Sequence, residues 1–263
     1  MNNISFGQYF PGNSLIHRLD ARTKLLITLE LIVIVFVVKT YIGYIATASL
    51  IALGIILSRI PVKFVLKSIK AIWFILAFTF VLNVFFMKGD TVLWHWWKIS
   101  ITVEGIKNAV KISVRLILLM VSTSLMTLTT SPMEITAAIE SLLKPLAKIG
   151  VPVHELALMM SIALRFIPTL IEETDKIMKA QTARGASFDT GGLLAKAKGL
   201  VPILVPLFVS AFKRADELAL AMESRCYNGG AHRTKYKIMR LGLIDLFTSA
   251  AAALLIVVAA FGL

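Results

Sequence analysis

Two arginines stand at the ends of two helix-like segments in the second half of the sequence, each between small residues. The two triplets, forty-one positions apart, are Ala183, Arg184, Gly185 and Ser224, Arg225, Cys226. Small neighbours would let a helix end enter a cleft, where a guanidinium can bind a carboxylate through two hydrogen bonds. The alternative is a cation that offsets the negative end of the helix dipole, worth up to about 1 kcal/mol when exposed.

A weak repeat extends upstream of both arginines at the same offset. The matching pairs are Asp175 with Asp216, Ile177 with Leu218, and Ala180 with Ala221. Together with the two triplets, the repeat favours one docking device used twice, for two related partner surfaces.

The composition places these segments in a membrane protein. The chain has 263 residues, of which 57% are hydrophobic and only 16% charged, far more apolar than a soluble domain requires. Its net charge is +13, but no basic segment interleaved with aromatic residues indicates nucleic-acid binding. The single cysteine excludes an internal disulfide framework.

Apolar segments of sufficient length predict five transmembrane helices. They are Leu25–Val38, Tyr41–Leu57, Ala71–Met87, Ala109–Thr129 and Leu241–Leu263. Of the 28 lysines and arginines, 22 fall in residues 1–24, 58–70 and 131–240, which the positive-inside bias makes cytoplasmic. The N-terminus is then cytoplasmic and the C-terminus external. The segment 88–100, with three tryptophans, is predicted to be an external loop.

Residues 131–240 are predicted to form amphipathic cytoplasmic helices rather than a separate soluble domain. Ser131 and Glu134 form a capping-box pattern at the start of the first helix, which Gly150 ends. The second helix runs from about His154 to Arg184, kinked or broken near Pro168, and the third from about Leu200 to Cys226. The predicted organisation is residues 1–130 with four transmembrane helices, 131–240 with the coupling helices, and 241–263 with the fifth.

Apolar residues recur at helical spacing along the second of these helices and define one face. A contact with a membrane partner or with the helical bundle is predicted for Leu156, Met160, Ala163 and Ile167.

The sequence lacks the patterns that would give the chain its own catalytic chemistry. It has no G-x-x-x-x-G-K-[ST] phosphate-binding loop, and its four histidines are scattered, so neither catalytic nor metal-binding residues are predicted. Glu30 is placed near the cytoplasmic end of the first span, which leaves the middle of every span without a carboxylate. A proton-coupled carrier usually places one there. Near the N-terminus, Asp20 with Arg18, Arg22 and Lys24 is predicted to tie the chain under the bundle, with contact to a partner as the alternative.

Three segments together resemble the transmembrane coupling (T) component of energy-coupling factor transporters. They are the opening GQYFPGNSLIHRLDARTKL, the helix LRFIPTLIEETDKIMKAQTARG and the later Ser-Arg-Cys. The resemblance covers nearly the whole chain. Cys226 differs from the glycine that commonly follows the arginine in this family, and as a small residue it is expected to be tolerated.

The resemblance implies an all-α, multi-pass cell-membrane protein that is a transducer rather than an enzyme. Such a component joins two ABC-type ATPases, which bind ATP and magnesium, to a membrane S component that binds a vitamin or another micronutrient. It holds no cofactor, and its partners are these proteins and membrane lipid. Its two x-Arg-x triplets, here those around Arg184 and Arg225, each enter a groove of one ATPase. A self-sufficient carrier or channel is the alternative.

Overall fold

Helices make up most of the chain. The computed structural model describes residues 9–38, 40–87, 91–96, 99–186, 192–229, 242, 245, 248–251 and 253. The helices are α1 Leu15–Arg18, α2 Ala21–Val37, α3 Tyr41–Ser58, α4 Val62–Ala71, α5 Trp73–Phe86, α6 Val103–Thr129, α7 Pro132–Leu143, α8 Val153–Ala183 and α9 Leu193–Glu223. The chain divides into two compact units, Met1–Ala138 with Ile238–Leu263, and Ile139–Lys237.

The first unit is organised around α6, which packs against α2, α3, α4 and α5. Its core contains Val35 and Val38 from the end of α2 and Leu118 and Leu128 from α6. Small hydroxyl residues allow close approach of α4 to α6, and the hydroxyl groups of Ser68 and Ser124 are hydrogen-bonded at 2.8 Å. Such small polar contacts are typical of helix pairs in membranes.

The start of α2 is tied down by polar contacts, as predicted for Asp20, Arg22 and Lys24. The Asp20 carboxylate accepts from the Arg22 backbone N–H at 2.9 Å and pairs with its guanidinium at 3.0 Å. The Asp20 N–H donates to Asp245 at 2.9 Å, and buried Lys24 donates to the Thr129 carbonyl at 2.9 Å. Burial raises the pKa of Asp20, but the hydrogen bonds and charge of Arg22 outweigh it and hold that pKa below its ordinary value.

Three helices in the described residues are long and apolar enough to cross a membrane, namely α3, α6 and α8. The first two match predicted spans. The third predicted span, Ala71–Met87, corresponds to α5. Helix α4 precedes it in a segment predicted to be cytoplasmic; α4 and α5 meet at an angle of 55° and are long and apolar enough for one further span only when taken together. The first predicted span is the 17-residue α2. The fifth, Leu241–Leu263, lies largely outside the described residues.

The segment predicted to be a loop contains a β-hairpin, which corrects the all-α prediction in this detail. Strands β1 (Val92–Trp96) and β2 (Ile99–Thr102) pair antiparallel, with Trp96 opposite Ile99. The run Val-Leu-Trp-His-Trp combines aromatic and branched residues that favour strands, a signal that the tryptophan cluster obscured. Next to the hairpin, exposed Thr91 donates through its hydroxyl to Glu104 at 2.7 Å.

The helices of residues 131–229 differ from the predicted ones mainly at their boundaries. The capping box is present, since the Ser131 N–H donates to Glu134 at 3.2 Å and the Glu134 N–H to the Ser131 hydroxyl at 3.3 Å. After α7 the chain tightens into a 3₁₀ helix, Lys144–Ile149, which ends at Gly150 in the left-handed conformation. Helix α8 continues through Pro168, so of the two predicted possibilities, a kink or a break, the break is absent. Helix α9 begins at Leu193, before the predicted start.

Candidate functional site

The C-terminal end of α8 presents Arg184 as its C-cap, directly before Gly185. The Gly185 N–H donates to the Thr182 carbonyl at 2.9 Å, and the Ala186 N–H donates to the Gln181 carbonyl at 3.0 Å. These two bonds, spanning three and five residues, define a Schellman motif. Gly185 occupies its left-handed position with φ of +88°. The turn ends the helix within one residue of the arginine.

The C-terminal end of α9 repeats this geometry around Arg225. The Cys226 N–H donates to the Glu223 carbonyl at 2.9 Å, and the Tyr227 N–H donates to the Met222 carbonyl at 3.0 Å. Each group lies forty-one positions after its counterpart in α8, the same offset that relates the two arginines. The weak sequence repeat therefore corresponds to a repeated backbone structure.

The two turns differ in the residue at the left-handed position. Cys226 has φ of +58°, where a residue with a side chain is strained and glycine is preferred. An added Cβ at Gly185 would meet nothing within 4 Å, so the preference for glycine there is conformational rather than steric. The sequence shows that Cys226 departs from glycine, but it cannot show that this residue adopts the left-handed conformation.

Both arginine side chains are exposed, as are their neighbours in the two triplets. Across the described residues, neither the Arg184 nor the Arg225 guanidinium forms a hydrogen bond or an ion pair. The arginines therefore do not hold the fold together by side-chain contacts. Both are available to an external acceptor, and both also lie at the negative ends of helix dipoles.

A polar contact joins α8 and α9. We call the part of each helix that runs from this contact to its arginine an arm. Glu173 accepts a hydrogen bond from the Ser210 hydroxyl, and its other oxygen lies 2.9 Å from the Arg214 guanidinium. The Gln181 side chain reaches the Pro202 carbonyl at 3.4 Å. The contact nearer the end of α8, at Gln181, is made with the residue nearer the start of α9, Pro202. The two helices are therefore antiparallel where they touch.

The antiparallel contact sends the two arginines in opposite directions. At the helical rise per residue, Arg184 lies about 16 Å beyond Glu173, and Arg225 about 22 Å beyond Ser210. The two ends are therefore far enough apart to reach two separate protein surfaces rather than one.

The apolar face predicted on α8 is largely uncovered. Leu156, Met160 and Ala163 are exposed and Ile167 is half-buried. Sequence reasoning missed a second exposed apolar stripe on α9, although the recurrence of its apolar residues every four positions was a readable signal. Its members are Leu200, Val201, Leu204, Val205, Phe208, Val209 and Phe212. On the same helix Ile203 is buried, which orients the stripe away from the interior of this unit.

The position of Glu30 corrects the expectation that no carboxylate lies in the middle of a span. Glu30 is the tenth of the 17 residues of α2, which begins four residues earlier than predicted. One of its carboxylate oxygens is buried without a hydrogen-bond partner among the described residues. Among the described residues, no three histidine, cysteine or acidic side chains are grouped so that they could hold a metal ion.

The apolar helices α3, α6 and α8 indicate a membrane protein, and the ends of α8 and α9 present two exposed arginines. Residues 12–236 match the family described as cobalt transport protein. The chain belongs to this family, which confirms the family resemblance and membrane class predicted from the sequence.

Full-length relatives support the same assignment. A protein named energy-coupling factor transporter transmembrane protein EcfT from Thermosediminibacter oceani is 53% identical over 98% of this chain and 97% of its own length. Proteins of the same name from Ruminiclostridium cellulolyticum and Bacillus subtilis are 52% and 49% identical. They cover 95% and 90% of this chain, and 93% and 89% of their own lengths. The alternative of a self-sufficient carrier is not favoured by these relationships.

Proposed function

We propose that the chain is the coupling subunit of an energy-coupling factor importer, joining two ABC-type ATPases to a membrane S component. The observation that carries the proposal is the pair of matching helix ends, each presenting an exposed arginine without a partner in the described chain. The names of the relatives supply the class of transporter.

The guanidinium group explains how a helix end could transmit force. Arginine keeps its charge at all physiological pH values, and its planar fork can bind a carboxylate through two hydrogen bonds. Small neighbours such as Ala183 and Ser224 let the helix end enter a groove on an ATPase. Movement of the two ATPases on binding and hydrolysing ATP would then move Arg184 and Arg225, and with them α8 and α9.

The exposed apolar stripe on α9, together with Leu156 and Met160 on α8, is the surface we propose for the S component. Large side chains such as Phe208 and Phe212 provide apolar area that a membrane partner can cover. The S component would bind the vitamin or other micronutrient. ATP and magnesium would be bound by the ATPases, so this chain would be a non-catalytic subunit.

The proposed arrangement fixes the orientation in the cell membrane. The N-terminus and the arginine ends would be cytoplasmic, the C-terminus external, and the hairpin external. A cysteine placed at exposed Thr91 in a Cys226→Ser background should react with a membrane-impermeant maleimide in intact cells. Labelling only after the membrane is permeabilised would contradict this orientation.

The docking roles are tested by truncating each arginine. Arg184→Ala and Arg225→Ala should each weaken retention of the ATPases by about 2–5 kcal/mol, because the partner carboxylate would remain buried and unpaired. Arg165→Ala is the matched control, since Arg165 is an exposed arginine on α8 away from the helix end. Retention of the ATPases by both variants at the parent level would leave only the helix-dipole explanation.

A further inference from the structure

Helix α4 has four distinct faces, and its neighbours in the first unit account for two of them. Val65 and Ser68 are buried, and the Ser68 hydroxyl is bonded to Ser124 of α6. Phe64 packs its ring 5.3 Å from the ring of Phe10. These contacts fix the rotation of the helix about its axis, and therefore determine where the remaining two faces point.

The third face is basic and points away from the bundle. Lys63, Lys67 and Lys70 are spaced by four and three residues, which places them within one narrow arc of the helix. All three are exposed, and none forms an ion pair or hydrogen bond with the described residues. At 100° per residue this arc lies opposite the face that holds Val65 and Ser68.

The fourth face is apolar and exposed, and it lies directly beside the lysines. Val62 and Leu66 are 58% and 57% exposed, although they lie on a helix whose opposite side is anchored. A basic face next to a free apolar face is the arrangement of a helix that lies in the plane of a membrane surface. A soluble acidic partner would satisfy the lysines but would leave no reason for exposed Val62 and Leu66.

The continuation of the chain places α4 at the membrane boundary. After the 55° bend the chain enters α5, whose side chains Phe74, Phe78 and Phe86 are exposed. Trp73, the first residue of α5, stands three positions after Lys70, where a tryptophan at the headgroup level would lie.

A groove begins at Trp73 and runs along α5. It has a volume of about 340 Å³ and is lined by Trp73, Leu76, Ala77, Phe80 and Val81 of α5 with Ser113 of α6. An almost entirely apolar groove that begins next to a lysine cluster is suited to the acyl chain of a lipid whose headgroup the lysines hold.

We propose that α4 and the start of α5 form a binding site for an anionic phospholipid of the cytoplasmic leaflet. Lys63, Lys67 and Lys70 bind the phosphate-bearing headgroups, Val62 and Leu66 enter the acyl region, and an acyl chain lies in the groove along α5. The site would hold α4 on the membrane surface. The inference does not depend on how the arginine ends act, because every residue that it uses lies in the first unit.

The first experiment removes the charges while keeping the helix. The purified full chain is titrated in detergent with phosphatidylglycerol or phosphatidylcholine, and bound lipids are counted by native mass spectrometry. The variant Lys63→Gln/Lys67→Gln/Lys70→Gln should bind phosphatidylglycerol at least roughly fivefold more weakly, since a single lysine near an anionic surface is worth about that factor. Phosphatidylcholine binding should not change.

The matched control removes three exposed lysines from the second unit, as Lys144→Gln/Lys148→Gln/Lys213→Gln. It should bind phosphatidylglycerol like the parent. Equal loss in both triple variants would reduce the effect to net charge and overturn the site. Unchanged lipid binding in the α4 variant, with loss of a co-purifying protein instead, would assign the lysines to a protein surface and also overturn it.

A second measurement reports the depth of α4 in the bilayer instead of lipid affinity. Spin labels are placed singly at Leu66 and Lys67 in the Cys226→Ser background, in phosphatidylglycerol vesicles. The label at 66 should collide more with oxygen, which concentrates in the bilayer, and the label at 67 more with a water-soluble nickel chelate. Greater collision with the nickel chelate at both sites would show that α4 does not lie in the membrane surface.

Discussion

The C-terminal ends of α8 and α9 have the same hydrogen-bond pattern but different residues at the left-handed position. Gly185 adopts it without strain, whereas Cys226 adopts it with a side chain. The arginine nevertheless precedes the turn in both, and all matching groups keep the offset of forty-one residues. The two ends therefore share the backbone turn and the position of the arginine. The residue at the left-handed position can vary, at an energetic cost.

The two ends also differ in their distance from the contact that joins the helices. Eleven residues separate Glu173 from Arg184, and fifteen separate Ser210 from Arg225. The arm of α9 is therefore longer by about 6 Å. If each arginine engages one ATPase, the two arms act on their partners at different distances, and the single variants need not have equal effects.

The largest effect is expected when both ends are truncated together. The two arginines lie far apart and share no partner, so their contributions should add. Arg184→Ala/Arg225→Ala should lose roughly 4–10 kcal/mol of ATPase binding and reduce uptake by cells to background. The membrane bundle should stay folded, which far-UV circular dichroism in detergent can check.

A different result would be a double variant that binds the ATPases as well as the single variant that binds them less. That result would show that the two ends act on one partner surface. That outcome would break the comparison, because the repeat would then have a single function.

A smaller effect is expected when each arginine is replaced by lysine. Lysine keeps the positive charge but loses the planar fork that gives two parallel hydrogen bonds. Arg184→Lys and Arg225→Lys should therefore retain part of the ATPase affinity, between the parent and the alanine variants, in a pull-down at fixed salt. Full activity of both lysine variants would indicate that only charge is required, as the helix-dipole explanation predicts.

Removing the contact between the arms should affect both helix ends at once. Its effect should be weaker than that of replacing either arginine. Glu173→Ala removes the Arg214 pair and the Ser210 hydrogen bond, which are partly exposed, so the loss of unfolding free energy should be about 1 kcal/mol. The control is Glu172→Ala, an adjacent exposed residue. Thermal melting in detergent measures the difference, and equal melting temperatures for the two variants would count against a joining role for Glu173.

The smallest effects are expected from substitutions at the left-handed positions of the two turns. They should change the stability of the two helix ends in opposite directions. Gly185→Ala introduces a side chain at φ of +88° and should destabilise the end of α8 by about 1 kcal/mol. Cys226→Gly removes the strain at φ of +58° and should stabilise the end of α9, by at most about 1 kcal/mol, because glycine loses more entropy on folding. Hydrogen exchange of the last-turn amides reports both. Equal signs would contradict the strain argument.

The positions of the arginines were predictable because helix ends leave local signals. The small neighbours, the offset of forty-one and the glycine after Arg184 are all visible in the sequence. The left-handed conformation of Cys226 is not, since cysteine gives no local preference for it and only the hydrogen bonds of the turn reveal it. The docking roles of both triplets stay predictions.

Membrane helices were predictable where one apolar run forms one helix, as for α3 and α6. Helix α4 was not predicted, because its basic residues Lys63, Lys67 and Lys70 indicate the membrane side of the segment but do not by themselves indicate a helix. Glu30 was placed too near the helix end because polar residues that precede Leu25 were excluded from the span. Those residues are helical because Asp20 caps α2 and Lys24 is satisfied by backbone carbonyls.

The central claim, that each arginine end binds one ATPase, is tested most directly by counting ATPase subunits per chain. The complexes are purified without nucleotide, so that ATP does not bring the two ATPases together. Native mass spectrometry then gives the count. The account predicts two ATPases on the parent, one on Arg184→Ala, one on Arg225→Ala and none on the double variant. Two ATPases on the double variant would contradict it.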